Sequence, residues 1–160
     1  MKWIARSLSH VFEVHSRQLT LGEKQLAESV FGTHLQLDKI KIIAHRLVLK
    51  NYAISPNGNI YFHPASWSKD FSKLSLVKQA WLIHELTHVW QLQQGLAVVR
   101  KALFDRQYHY VMQQGKLFLH YGIEQQAQMV QDYFIRKSQG QQCQAYEACI
   151  PFLAQKQQRT

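Results

Sequence analysis

Cysteine is scarce in this chain of 160 residues, and long hydrophobic runs are missing from it. The two cysteines, Cys143 and Cys149, lie six positions apart, which matches no zinc-knuckle spacing and is too few for a disulfide framework. We therefore expect free thiols. The N-terminal segment has no apolar core of signal-peptide length, and no later run approaches a membrane span. We expect synthesis to end in the cytoplasm, with any export by a route that needs no N-terminal signal peptide.

Acidic residues are scarce as well. Ten aspartates and glutamates stand against 19 lysines and arginines, which gives a formal net charge of +9. A basic surface can attract nucleic acid, an anionic membrane or an acidic protein. Here the basic residues are spread along the whole chain without a dense run, and no nucleic-acid-binding motif accompanies them. We interpret the charge as a solubility feature and predict neither a specific nucleic-acid partner nor a membrane span.

Internal repeats, linkers and low-complexity blocks are also missing, although the C-terminal tail is rich in glutamine. With 46% hydrophobic residues, a chain of this length can bury one substantial core. The sequence therefore predicts a single domain over residues 1–160.

The hydrophobic periodicity predicts an α+β fold, mainly helical, with a small antiparallel sheet or hairpins. Helices are expected over 3–16, 20–32, 76–93, 96–106, 123–140 and 143–155, the last interrupted by Pro151. A capping box of Thr20 and Glu23 is predicted to open the second of these helices. Short apolar runs between 40 and 54 indicate strands, and 59–63 indicates a returning strand after the turn at 55–58. Alternation over 108–119 predicts a second hairpin.

One motif carries most of the functional information, His84-Glu85-Leu86-Thr87-His88, within apolar flanks that run from Ser75 to Gly95. Histidines four apart lie on one face of a helix, so both imidazoles can reach one zinc ion. Glu85 can then hold the zinc-bound water as a general base. The alternative is a buried helix whose histidines only form hydrogen bonds in the core. In that case a buried glutamate would need its own charge partner.

A catalytic zinc needs a third protein ligand and one open position. We predict Glu124, which lies 36 residues after His88 at the start of a predicted helix. The zinc site would then lie between two helices. Glu124 could instead only stabilise its helix N-terminus. The main alternative ligand is His120, immediately before that helix. A compact three-histidine site is excluded because Gln94 occupies its last position. The other competing ligands are His63, His109 and Asp132.

These residues support a family resemblance. The motif at 84–88 with a later helical glutamate resembles the gluzincin group of zinc metallopeptidases. Over roughly residues 20–95, the chain is similar to a zincin-like domain of bacterial polymorphic toxins and of contractile injection systems, including type VI secretion. Residues 121–133 resemble a small stand-alone branch of these proteins. One position departs from the pattern: many gluzincins carry an acidic residue four positions after the glutamate ligand, where this chain has Gln128.

The resemblance implies a zinc metallopeptidase whose metal ligands are His84, His88 and Glu124. Glu85 would take a proton from the zinc-bound water and return it to the leaving amine during hydrolysis of a peptide or amide bond. The oxyanion would need a further donor. We predict Tyr121 for this role, and the alternatives are His109, His120 and Tyr133. For Gln91, one turn beyond His88, we expect only a surface or interhelical contact.

The expected partners are a protein or peptide substrate and a protein of a secretion system. Two other functions stay open at this point. One is a structural or adaptor zinc domain of a secretion apparatus without turnover. The other is a secreted toxin effector that acts on peptidoglycan or on a target-cell protein.

Overall fold

The structure, a computed structural model, describes residues 11–96 and 107–154. In these ranges the strands are β1 (Glu13–Gln18), β2 (Lys41–His45), β3 (Ala53–Ile54) and β4 (Ile60–Phe62). The helices are α1 (Leu21–Phe31), α2 (Leu76–Gln93), α3 (Ile123–Ser138), α4 (Gln144–Cys149) and α5 (Pro151–Ala154). Two 3-10 helices lie at Phe71–Lys73 and Phe118–His120. The predicted α+β class is confirmed.

The four strands form one sheet in the order β1-β2-β4-β3. β1 and β2 pair antiparallel, and β3 and β4 form the predicted antiparallel hairpin. However, β2 and β4 are parallel, with Ile43 opposite Tyr61. The expectation of a purely antiparallel sheet was therefore wrong for this pair. After β2 the chain forms the edge strand β3. It then turns back to form β4, which lies between β2 and β3.

Two predicted elements were wrong where the structure describes them. Residues 13–16 belong to β1 and not to a helix, because pairing with β2 overrides a helical spacing of apolar residues. The proposed hairpin over 108–119 is a loop followed by the 3-10 helix at Phe118–His120. Its apolar alternation has a different origin, since Tyr110 and Met112 pack against the core without strand pairing. Most of the predicted helix over 96–106, and residues 3–10, lie outside the described residues.

Helix α2 runs through the centre of the core. Every side chain from 82 to 91 is buried, so the polar residues of this stretch lie inside the core together with its apolar residues. Phe62 of β4 packs edge-on against Trp81 at a centroid distance of 4.9 Å, so the sheet covers one side of α2. Helix α3 packs along another side. Gly95, with φ +77°, follows the C-terminus in the left-handed conformation that glycine favours.

A buried ion pair joins β1, α1 and the 3-10 helix at Phe71–Lys73. Glu23 has no exposed surface, and both of its carboxylate oxygens accept hydrogen bonds from Arg17 at 2.7 Å. The backbone N–H groups of Thr20 and Phe71 also donate to this carboxylate, at 2.9 and 2.8 Å. The capping box predicted at the start of α1 is thus present. Its glutamate connects three elements as well as capping the helix.

The remaining sequence expectations concern the thiols and the membrane. Both cysteines are free, as predicted, with Cys143 buried and Cys149 partly buried. No helix within 11–96 or 107–154 combines the length and the hydropathy of a membrane span.

Replacement of Glu23 with alanine should destabilise the fold by about 3–5 kcal/mol, because it leaves Arg17 and two backbone N–H groups without their acceptor in a buried site. Urea unfolding of the purified protein measures this change. The matched control is Glu28→Ala, an exposed glutamate on the same helix, which should change the free energy of unfolding by less than about 0.5 kcal/mol. Equal effects of the two substitutions would contradict this account of the ion pair.

Candidate metal centre

The two motif histidines lie one turn apart on the buried part of α2. Both His84 and His88 are 6% exposed. Their ring centroids are 4.9 Å apart, so the rings occupy the same face of the helix. The four-residue spacing therefore places both imidazoles on one helical face, as the sequence predicted.

Glu124 reaches this pair from the first turn of α3. Its Oε2 atom lies 3.2 Å from Nε2 of His84 and 3.3 Å from Nε2 of His88. Within residues 11–96 and 107–154, this is the one group of three or more potential metal-ligating side chains whose donor atoms converge, all within 4.8 Å of one another. The fold thus brings the three predicted ligands together between two helices.

The electrostatics of the cluster favour a positive charge at its centre. Burial alone would raise the pKa of the Glu124 carboxyl, but the hydrogen bonds and charges of His84 and His88 bring it down to about 2. Burial acts to lower the pKa of His88, yet Glu124 and Glu85 raise it above its ordinary value. A carboxylate and two imidazole nitrogens at these distances share one cationic centre, which a proton or a metal ion can supply.

The donor set fits a zinc ion. Two imidazole nitrogens and one carboxylate oxygen are a ligand set of catalytic zinc sites. Iron(II) accepts the same set, but the placement of the histidines around a glutamate on one helix is typical of zinc hydrolases. Nδ1 of His84 is buried and has no hydrogen-bond partner among the described residues.

Glu85 lies beside the cluster and is itself 4% exposed. Its Oε2 atom accepts a hydrogen bond of 2.9 Å from the hydroxyl of Ser55, which is also buried and directly follows β3. The edge strand of the sheet therefore fixes one oxygen of the predicted base. Sequence reasoning missed this role, since Ser55 looked like an ordinary residue of a turn, and the contact spans 30 positions of the chain.

Gln91, one turn beyond His88, was underestimated in the sequence. We expected at most a surface or interhelical contact, but its side chain is fully buried. Its Oε1 atom lies 2.8 Å from Nδ1 of His88, and its Nε2 atom donates to the Ile123 carbonyl and to Oε1 of Gln126, both at 3.0 Å. Nε2 of Gln126 donates to the Tyr121 carbonyl at 2.8 Å. The three-residue spacing of His88 and Gln91 on one helix was the available signal.

The position where gluzincins often place an acidic residue contacts no histidine. Gln128 donates from Nε2 to Oδ1 of Asp132 at 2.8 Å, and the other oxygen of Asp132 accepts a 2.6 Å hydrogen bond from Tyr110. Because Asp132 accepts this hydrogen bond from Tyr110, it holds the loop that contains Tyr110 against α3. The hydrogen-bond partner of His88, a predicted ligand, is instead Gln91 on the same helix α2.

The other predicted site residues lie outside the cluster. The hydroxyl of Tyr121 accepts from the Gln113 N–H at 3.0 Å and donates to the Val111 carbonyl at 3.4 Å, so it holds the preceding loop. A catalytic role for Tyr121 stays a prediction that these contacts do not support. The remaining candidates have no described contact with the cluster: His109 and His120 are exposed, Nδ1 of His63 accepts from the Ala65 N–H, and Tyr133 packs beside Tyr146.

Comparison with known proteins gives two similar ones. The type VI secretion system spike protein VgrG2b of Pseudomonas aeruginosa is 38% identical over 135 residues, which cover 77% of this chain. The chain spans only 13% of the length of VgrG2b. The solved structure of the effector domain of Pseudomonas aeruginosa VgrG2b is 34% identical, with a TM-score of 0.73, over 84% of this chain and 82% of that domain. No protein-family model matches the chain.

We predict that the purified protein binds about one zinc ion per chain through His84, His88 and Glu124. Replacement of Glu124 with alanine should weaken zinc binding by more than about 100-fold, because the loss of a direct ligand should exceed the 10–100-fold effect of an outer partner. Competition with a zinc-chelating dye measures the affinity. The control is His120→Ala, four positions earlier and exposed, which should leave the affinity unchanged. If His120→Ala loses zinc and Glu124→Ala keeps it, the ligand assignment is wrong.

Proposed function

Because this chain belongs to the family of the VgrG2b effector domain, we propose that it is a type VI secretion effector that hydrolyses peptide or amide bonds with a zinc ion. The relative's name identifies an effector domain of a spike protein. We extend to this chain the delivery route and the partnership with a secretion-system protein.

One observation carries the enzymatic part of the proposal. A glutamate that is not one of the three converging ligands lies next to them in sequence, is buried, and is held by Ser55. A structural zinc site usually closes its fourth position with a protein ligand and has no use for a base. The described residues offer three converging ligands and a separate carboxylate, which is the composition of a hydrolytic site.

The proposed chemistry divides the work among the residues of α2 and α3. His84, His88 and Glu124 would hold the metal. A zinc ion bound there would act as a Lewis acid on the substrate carbonyl and would make a water molecule more acidic. Glu85 accepts a proton from the attacking water, and it then donates that proton to the amine nitrogen as the carbon–nitrogen bond breaks.

Ser55 restricts how Glu85 does this. Its hydroxyl occupies Oε2 of the carboxylate at 2.9 Å, and no described hydrogen bond occupies Oε1. The proton should therefore be taken up at Oε1. A carboxylate held by a buried hydrogen bond keeps one orientation, and that orientation reduces the cost of reaching the productive geometry.

The substrate class separates two versions of the proposal. A peptidase would act on a protein of the target cell, whereas an amidase would act on the peptide part of peptidoglycan. Both reactions break an amide bond, and the same three ligands and base serve either. The test therefore uses both substrates, and a zinc-binding adaptor without turnover would cleave neither.

Replacement of Glu85 with glutamine should leave the zinc content unchanged and lower hydrolysis by about 10²–10⁴-fold, because glutamine can still form hydrogen bonds with water but cannot accept its proton. A quenched-fluorescent peptide library and purified peptidoglycan are digested separately by the zinc-loaded protein, and zinc is measured on the same samples. The control is Glu28→Gln, an exposed glutamate, which should retain full activity. Loss of zinc from Glu85→Gln would make this residue a ligand, and absence of hydrolysis by the wild-type zinc protein would favour the adaptor.

A further inference from the structure

The buried amides beside the cluster have only one consistent orientation. A backbone carbonyl can only accept a hydrogen bond, so the side-chain atom of Gln126 that faces the Tyr121 carbonyl at 2.8 Å must be its Nε2. Oε1 of Gln126 then points to Gln91 at 3.0 Å. If the Gln126 amide were flipped, two oxygens would face each other in a buried site, at the full cost of an unsatisfied acceptor.

The same reasoning fixes Gln91. The atom that faces both the Ile123 carbonyl and Oε1 of Gln126 must be Nε2, because both of those neighbours are acceptors. Both N–H bonds of Nε2 are used there. Oε1 remains as the atom that lies 2.8 Å from Nδ1 of His88. Since this oxygen only accepts, the hydrogen of that contact belongs to His88.

The protonation of Nδ1 determines what Nε2 of His88 can do. A neutral imidazole carries one N–H, so a proton on Nδ1 leaves the lone pair on Nε2. That lone pair points to the position where Oε2 of Glu124 lies at 3.3 Å. Two acceptors then face each other, and only a cation between them makes the contact favourable.

From this geometry we infer that Gln91, oriented by Gln126 and by the Ile123 carbonyl, is a positioning residue that holds His88 in the Nδ1–H tautomer needed for metal binding through Nε2. The inference rests on the metal-binding part of the proposed function. Partners of this kind fix the ring orientation of a metal-binding histidine and increase its basicity, and their loss typically costs 10–100-fold in metal affinity.

The arrangement also aligns the two ligand-bearing helices. Ile123 and Tyr121 belong to the backbone at the start of α3, immediately before Glu124. The side chain that sets the His88 tautomer is thus bonded to the segment that positions Glu124. This arrangement is independent of the acidic residue that gluzincins often carry at the position of Gln128.

The experiment compares zinc affinities of variants at position 91. Gln91→Met keeps the length and volume of the side chain but removes the acceptor, so the zinc dissociation constant should rise about 10–100-fold. Gln93→Met is the matched control, since Gln93 lies on the same helix, is exposed and forms hydrogen bonds with the backbone of Gln36. Its dissociation constant should stay within about twofold of the wild type, well below that loss.

A third variant separates positioning from packing. Gln91→Glu retains an oxygen acceptor for Nδ1–H and should therefore lose less zinc affinity than Gln91→Met. A purely structural role predicts the opposite order, because a buried carboxylate facing the Ile123 carbonyl disrupts packing more than methionine does. Thermal melting of each variant reports folding separately from zinc binding. If Gln91→Met does not fold, Gln126→Met is measured in its place. This substitution removes the amide that orients Gln91, so its zinc dissociation constant should be higher than that of the Gln93→Met control.

Each outcome has a definite meaning. A Gln91→Met affinity equal to that of Gln93→Met, or a greater loss in Gln91→Glu than in Gln91→Met, overturns the inference and leaves the proposed function standing. A wild-type protein that binds no zinc at all overturns the metal-binding part of the proposed function, and the inference falls with it. A zinc-binding wild type with the predicted order of variants supports both.

Discussion

A single carboxylate oxygen, Oε2 of Glu124, faces the Nε2 atoms of two buried imidazoles at 3.2 and 3.3 Å. A positive charge between the Glu124 carboxylate and the two imidazole nitrogens would make this close, buried arrangement favourable. Two of the polar side chains beside the cluster are held by buried hydrogen bonds. Gln91 donates to the Ile123 carbonyl at the start of α3, and Glu85 accepts from Ser55. The rest of the core serves to keep α2 and α3 in this register.

The two sides of α2 contribute differently to the site. The sheet side holds Glu85, the proposed base, through Ser55, which directly follows the edge strand. The α3 side holds Glu124, the proposed third ligand, and Gln126, whose amide accepts a hydrogen bond from the Gln91 side chain beside His88. The ion pair of Glu23 and Arg17 has no described hydrogen bond to the cluster, and it holds β1 to α1. A substitution in this ion pair should therefore change the stability of the fold more than the chemistry of the cluster.

Local sequence patterns predicted the parts of this protein that depend on local structure. Histidine spacing placed two donors on one helical face, and the capping box placed the start of α1. Patterns failed where pairing with a distant segment decided the outcome. Residues 13–16 became a strand because β2 was available to pair with them. Ser55 could not be identified, because no local rule connects a turn serine to a glutamate 30 positions away.

The central claim is that one zinc ion is held by three protein ligands at the contact of α2 and α3. Anomalous diffraction at the zinc edge, from crystals of the zinc-loaded protein, tests it most directly. The account predicts a single peak at about 2.1 Å from Nε2 of His84, Nε2 of His88 and a carboxylate oxygen of Glu124, with no fourth protein ligand. A peak that is closed by a fourth side chain such as His120, or one bound away from Glu124, would contradict the account.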